Sequence, residues 1–479
     1  MDPAWIATSR KELTSMAQNR TGLSDAGLEG LGAAVRGQVI APTDEAYDIA
    51  RRVYNGMIEK HPALVIRCVD AADVMAGVQL GRDAGLAVAV RGGGHNAAGL
   101  GTCDDGIVLD LGPMKNVWVD AKNRRVRVGG GAVWGDVDHA TTPFGLAVPA
   151  GIISTTGVGG LTLGGGFGHI SRGFGLSCDS LISADVVLAD GTLVTASAVE
   201  HPDLFWALRG GGGNFGAVTS FEFQARPVHL VYGGVLLYEL DKARQLLELY
   251  RDFILDAPRE LGLFFGYTVA PPAPFIPESV QLRPVAKIVV CYNGPEGEGA
   301  RLLEPFRAIG PNTDFMNVMP LAVLNSAFDA LFPAGFQDYW KADYDNEISD
   351  AAIDVHLAHG PKIPNPHSVM HLYSVNGAIQ DKGNHDTAYA YRDASFIHVM
   401  LVEDGDASKM PGHIAWVREY WDALRPHSAG GAYVNFLMDE GSERVQATYR
   451  GNYGRLQQVK KQYDPHNVFR VNQNIQPAA

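Results

Sequence analysis

Ala87-Val88-Ala89-Val90-Arg91-Gly92-Gly93-Gly94-His95-Asn96 is the stretch on which the reading of this chain turns. An apolar, β-type run passes without a spacer into three consecutive glycines and a histidine. Successive glycines let neighbouring backbone N–H groups converge on one point, an anion nest suited to a pyrophosphate, and Arg91 stands ready to add charge. Taken alone, the same residues also read as a glycine-rich turn with an incidental histidine. Working outward, Ala63 to Arg67 reads as a strand and Asp70 to Gly85 as a helix opened by an aspartate cap. With Ala87 to Val90 they predict a βαβ unit. Further strands are expected at Gly106–Leu111, Val126–Gly129, Leu181–Leu188 and Val218–Phe223, a helix start at Trp134–Val137, and a helical preface over Leu23–Gly37.

Two more glycine segments follow. Gly157 to Gly168 carries seven glycines in twelve residues, interleaved with Leu161, Leu163 and Phe167, which are too apolar for a flexible linker. With so few side chains it is expected to offer bare backbone to a flat or extended ligand. Neither the strand–Gly-x-Gly-x-x-Gly–helix arrangement of nicotinamide sites nor the Gly-Lys-[Ser/Thr] of a P-loop is present. The third run, Arg209-Gly210-Gly211-Gly212-Gly213-Asn214-Phe215-Gly216, again leads into a strand. Three such loops between Arg91 and Val218 argue for one large ligand held against main chain.

In combination these segments resemble the FAD-binding half of the vanillyl-alcohol-oxidase superfamily, with PCMH-type FAD binding. The resemblance rests on Arg91 to Asn96, Pro149 to Gly160, Gly175 to Asp179 and Arg209 to Gly216. The closing Tyr463-Asp464-Pro465-His466-Asn467-Val468-Phe469-Arg470-Val471-Asn472-Gln473-Asn474 resembles the C-terminal signature of the berberine-bridge-enzyme-like branch. The resemblance implies an α+β fold: a two-part PCMH-type FAD-binding domain, and a substrate domain of antiparallel sheet covered by helices. The corresponding division is an FAD-binding domain at 1–226, a substrate-binding domain at 227–429, and a C-terminal segment at 430–479 that returns to the first. It also implies FAD bonded covalently to His95. Other expected cofactor contacts are Arg91, Gly92, Gly93, Gly94, Asn96, Gly99, Pro149, Gly151, Thr155, Thr156, Gly159, Gly160, Gly166, Phe167, Gly168, Val218, Asn472 and Asn474. Where many relatives carry a second tethering cysteine this chain has Ile153, so one covalent bond is expected, as in bacterial mono-covalent members.

The proton-accepting residue is less plainly marked. Counting from Tyr391-Arg392, the position of the plant glutamate falls on His398, in Ser395-Phe396-Ile397-His398-Val399-Met400-Leu401. Period two puts Phe396, His398 and Met400 on one face, so His398 is either a hydrogen-bonded structural residue or a group facing a pocket. An imidazole suits the task, since its unperturbed pKa lies near 6.5. Tyr449, Tyr453 and His371 are weaker candidates. The relatives' Tyr-x-Asn-Tyr reads Tyr433-Val434-Asn435-Phe436 here, which removes a phenol that sugar-oxidising relatives use. Thr156 stands where relatives control oxygen entry, and its size, close to valine, implies access for O2 and release of hydrogen peroxide.

Composition sets the outer limits. A formal net charge of −14 with no basic run leaves no electrostatic footprint for nucleic acid, and no window reaches the length of apolar chain that a membrane span requires. Four scattered cysteines lack metal-ligand spacing, so no metal is expected and a reducing cytoplasm fits better than a disulfide frame. The opening Met1 to Trp5 does not resemble a signal peptide. The expected function is hydride transfer from a small amine or alcohol to flavin, with O2 as acceptor. The alternatives are a dehydrogenase using another acceptor, a carbohydrate oxidase, or a flavin-carrying protein without redox turnover.

Overall fold

The computed structural model describes residues 25–479; Met1 to Trp5 and the first residues of the expected helical preface lie outside them. The chain folds into three principal sheets. The first contains β1 (Gln38–Ile40), β2 (Leu64–Arg67), β3 (Val88–Arg91) and β4 (Ile107–Asp110), in the order β1-β2-β4-β3. Both β2 and β3 run parallel to β4, so the βαβ unit brackets a third strand. Its helix, Ala71–Asp83, starts where the Asp70 carboxylate accepts the Asp73 N–H, satisfying one of the donors a helix leaves open. It packs Val74 and Val78 onto Leu64, Ile66 and Leu109.

The second sheet is antiparallel, ordered β5-β6-β10-β8-β9. Its strands are β5 (Val117–Asp120), β6 (Arg125–Gly129), β8 (Leu181–Val187), β9 (Leu193–Ser197) and β10 (Ala217–Gln224). β6 shows how its faces differ: Val126 and Val128 are buried while Arg125 and Arg127 point to solvent. A short pair, β7 (Leu146–Ala147) with β11 (Arg226–Pro227), closes this part.

Beyond Pro227 lies a seven-stranded antiparallel sheet, ordered β15-β12-β14-β13-β17-β18-β16. Its strands are β12 (Leu230–Tyr238), β13 (Leu261–Val269), β14 (Pro284–Tyr292), β15 (Thr313–Pro320), β16 (Gln337–Asp345), β17 (Val369–Ser374) and β18 (Phe396–Asp404). Helices Ala243–Asp256, Asp350–His359 and Met410–Leu424 cover one face, where Leu246, Tyr250, Ile353, Trp416 and Tyr420 meet Phe265, Met370, Met400 and Val402. The other face turns toward the glycine loops. There Val289, Ile397 and Val399 share a cluster with Phe167, Tyr373 and Tyr433.

The C-terminal helices Ser442–Tyr449 and Tyr453–Tyr463 return to the first half, placing Val445, Leu456, Val459 and finally Ile475 in one core with Trp134, Phe205 and Phe223. Among the described residues no helix is long and apolar enough to cross a membrane. Glu296–Leu302 and Glu304–Ala308 are separate helices, because Pro305 disfavours continuous helix across the residue before it. Within the second glycine segment Gly157 caps a short helix, Val158–Leu163.

Candidate active site

The three glycine loops meet in one cleft. A Cβ on Gly93 would lie 2.6 Å from the Gly157 nitrogen, and one on Gly157 would lie 2.4 Å from the Gly93 nitrogen. The first two loops therefore touch backbone to backbone, an approach that any side chain would prevent. The third loop is built by positive φ at Gly210, Gly212 and Gly216 and is held from behind by the C-terminal tail. Asn214 donates to Gly211 O at 2.9 Å and Gln473 O at 3.1 Å, and accepts from Ile475 N at 2.9 Å. Lys460, fully buried, pairs with Asp464 at 2.5 Å and donates to Asn214 O and Phe469 O. The Asp464 carboxylate in turn accepts from Val468 N and Phe469 N. Packing between the halves is also fixed by a buried bidentate pair, with Arg392 reaching Asp179 at 2.7 and 2.8 Å.

The cleft, about 300 Å³, runs from these loops to the free face of the seven-stranded sheet. On the loop side it is lined by Arg91, Gly92, Gly93, Gly94, His95, Asn96, Gly151, Thr156, Gly159, Gly160, Phe167, Val218 and Asn472. His95 is half-buried, its ring stacked on Tyr54 with centroids 3.9 Å apart, and its Nε2 is 2.9 Å from Thr155 Oγ1. Burial holds the imidazole's pKa down to about 4, so it is neutral at physiological pH.

Other expected residues take supporting places outside the lining. Gly99 makes a turn with φ +69° against Ile58. Pro149 accepts from Ser177 through its carbonyl, Gly166 donates its N–H to Tyr433 at 2.8 Å, and Gly168 packs on the Ala150 carbonyl. Asn474 is partly buried, with its side-chain oxygen enclosed. Arg91 does not supply free charge: its guanidinium pairs with Asp110 at 3.1 Å.

Three expected catalytic residues lie away from the cleft lining. His398 is buried on the helix-covered face of β18, Nδ1 2.7 Å from Asp345 Oδ2, and does not line the cleft. Alternation along the strand sends Val399, Leu401 and Glu403 into the cleft instead. Tyr449 supports the third glycine loop by donating to Gly211 O at 3.2 Å. Tyr453 stacks on Tyr449 with centroids 6.5 Å apart; neither reaches the cleft. His371 does, with Nδ1 2.6 Å from Tyr373 Oη.

The residues missed from sequence are Tyr54, Trp340, Tyr373, Glu403 and Tyr433. A carboxylate in phase with Val399 and Leu401 on the strand was the available signal for Glu403; nothing local marked Tyr54. Glu403 is 1% exposed, and Asp338 stands directly across from it on β16. Burial, with that second carboxyl adding to it, pushes Glu403 up to about 9.

The cleft fits FAD. It presents a cradle of glycine backbone without side chains, a neutral imidazole at its edge, and the Asn472 side-chain oxygen, buried without a hydrogen-bond partner among the described residues. A sheet of three parallel strands joined to glycine loops, facing a second sheet that walls the same cleft, defines a two-part flavin-binding oxidoreductase.

Comparisons with known proteins agree. Residues 62–197 match the family model for an FAD binding domain, and residues 432–476 the model described as berberine and berberine like. An FAD-linked oxidoreductase of Dictyostelium discoideum is 30% identical over 452 residues, covering 93% of this chain and 95% of that one. (R)-6-hydroxynicotine oxidase of Paenarthrobacter nicotinovorans is 30% identical over 459 residues, covering 93% and 97%. The solved structure of 6-hydroxy-D-nicotine oxidase from Arthrobacter nicotinovorans superposes with a TM-score of 0.82 at 28% identity, covering 93% and 98%. Berberine bridge enzyme from Eschscholzia californica shares the fold, with a TM-score of 0.82 at 20% identity. This chain belongs to the berberine-bridge-enzyme-like branch of the vanillyl-alcohol-oxidase superfamily and is an FAD-linked oxidoreductase.

Proposed function

We propose that the chain is an oxidase that carries FAD covalently on His95, oxidises a small amine or alcohol, and passes the electrons to O2 as hydrogen peroxide. The observation that carries this reading is the His95 imidazole, neutral, clamped by Tyr54 and Thr155, at the edge of a cleft walled by three glycine loops. Bound there, FAD supplies the hydride acceptor and the reaction with O2. The residues of the chain then position substrate and manage one proton. Trp340, Tyr373, Tyr433 and Phe436 supply the aromatic part of the cleft lining. Glu403, ionising near pH 9, takes the proton released from the substrate's oxygen or nitrogen as the adjacent carbon gives up hydride. Phe436 offers no ionisable oxygen, which supports a small amine or alcohol over a sugar, and so does the similarity to a hydroxynicotine oxidase. Four free, buried thiols fit work in a reducing cytoplasm.

Acid precipitation tests the tether: yellow colour stays in the wild-type pellet and moves to the supernatant for His95→Ala. A peroxide-release screen across amines, alcohols, hydroxy acids and sugars tests the reaction. Colour that washes out of the wild type removes covalency. Turnover with an artificial acceptor but without oxygen consumption makes the chain a dehydrogenase.

A further inference from the structure

We propose that Lys287 and His371, with His169 beside them, form an anion-binding subsite on the sheet wall of the cleft that takes a carboxylate of the substrate. The inference rests on the reading that this cleft holds the oxidised molecule. Register places the residues. Lys287 of β14 stands opposite Gly266 of β13, Gly266 opposite His371 of β17, and His371 opposite Val399 of β18. Residues directly opposite across antiparallel strands point to the same face; of this row His371 and Val399 line the cleft, while Lys287 and His169 adjoin His371 without forming part of the lining.

Gly266 is the device that lets the row assemble. A Cβ there would lie 2.8 Å from the His371 ring and 3.1 Å from the Lys287 Cε, so its absence lets ammonium and imidazole lie close over the bare strand. Phe264 packs against both imidazoles, with centroids 4.9 Å from His371 and 6.2 Å from His169.

None of the three basic groups has an acidic partner among the described residues. Lys287 is 4% exposed and makes neither an ion pair nor a hydrogen bond. The Nε2 atoms of His371 and His169 are buried and unpartnered. Buried lysines ordinarily pair or bond their charge, so an unpaired one beside two open imidazole nitrogens leaves room for a negative partner brought from outside. The elements packed around Lys287 present Leu237 from β12, Gly266 from β13, His371 beyond it, and the Phe328 ring 5.8 Å away. No carboxylate is among them. Burial alone draws Lys287 down to about 7, and burial followed by the Lys287 charge depresses His371. An arriving carboxylate reverses this by favouring the ammonium, so above neutral pH one proton enters with each anion bound.

The experiment is calorimetric titration of the holoenzyme with benzoate at pH 8, in two buffers of different ionisation enthalpy, with benzamide and benzylamine as size-matched probes. Benzoate is expected to bind with uptake approaching one proton. Its affinity should fall about tenfold per pH unit above pH 7, and the neutral and cationic analogues should bind at least about tenfold more weakly. Lys287→Met should abolish the uptake and weaken benzoate by about tenfold or more. Lys287→Arg, always charged, should keep binding without uptake. Equal affinity for benzamide, proton uptake surviving in Lys287→Met, or no benzoate binding would each overturn the proposal. Visible flavin absorbance is recorded for every sample: a wild type without flavin sinks the oxidase reading, whereas normal flavin with failed benzoate binding sinks the subsite alone.

Discussion

A methyl group placed on Gly160 asks whether a ligand lies along the second glycine loop. Gly160 sits inside the helix Val158–Leu163, lines the cleft, and a Cβ there meets nothing within 4 Å. For the protein alone, Gly160→Ala is free of collision and gains about 0.5–1 kcal/mol from reduced backbone entropy of the unfolded chain. With an unfolding entropy of about 2.1 cal/mol/K per residue, such a gain raises Tm by no more than about 1 °C in a chain of 479 residues. For bound FAD the same methyl is an obstruction. Lifting the ligand off the loop loses about 0.8 kcal/mol for each buried methylene-sized contact, and two such losses exceed the 1.4 kcal/mol that makes a tenfold change in affinity. The assay, run in a His95→Ala background so that flavin is held without a covalent bond, pairs thermal unfolding with the ratio of visible flavin to protein absorbance after purification. The expected result is unchanged or higher Tm with flavin content much reduced. Gly157→Ala is the contrasting variant: its methyl strikes the Gly93 backbone, so it should cost about 1–3 kcal/mol of stability as well. A Gly160→Ala enzyme that retains full flavin would refute the placement of the cofactor against this loop.

Glu403→Gln should lower the rate constant of anaerobic flavin reduction by about 10²–10⁴. Since the carboxyl ionises near pH 9, the wild-type rate should climb with pH toward that value and the variant profile should be flat; a sloping variant profile would exclude Glu403. Lys460→Met leaves the Asp464 carboxylate buried without its cation and two carbonyls without their donor. A loss of about 3–5 kcal/mol, read as a lowered denaturant midpoint together with weaker flavin retention, is expected, and an unaltered midpoint would contradict it. His356, bonded through Nδ1 to Tyr420 Oη at 2.7 Å, is drawn by burial down to about 3. Its folded pKa lies below the unfolded value near 6.5, so its contribution is complete above that pH and disappears on acidification toward 3. Relative to His356→Gln, the wild type should lose about 1.4 kcal/mol per pH unit through that window. Parallel stability curves would show that the ring is free to protonate when folded.

How much was legible from sequence follows from where the constraint acts. A glycine's freedom is local to its own backbone, so the three loops stood out before any contact was known, and strands β2, β3 and β10 fell on the apolar runs that predict them. The tail was legible as a signature but not as a mechanism: its role depends on Lys460 and Gln473 meeting Asn214, more than two hundred residues away. Arg91 read as a free charge because its neutralising partner, Asp110, arrives through strand pairing. The deepest divide lies in β18. Phe396 to Val402 is buried on both faces, so its alternation distinguishes two rows of side chains without naming the one that meets solvent, helices or ligand. The sequence alone determined that a bare-backbone cradle with a histidine at its lip must form. Only the packing of helices on one side of the seven-stranded sheet decided that His398 would be sealed against Asp345 while Glu403 and His371 face the cleft, because facing is a property of what covers a strand and not of the strand itself.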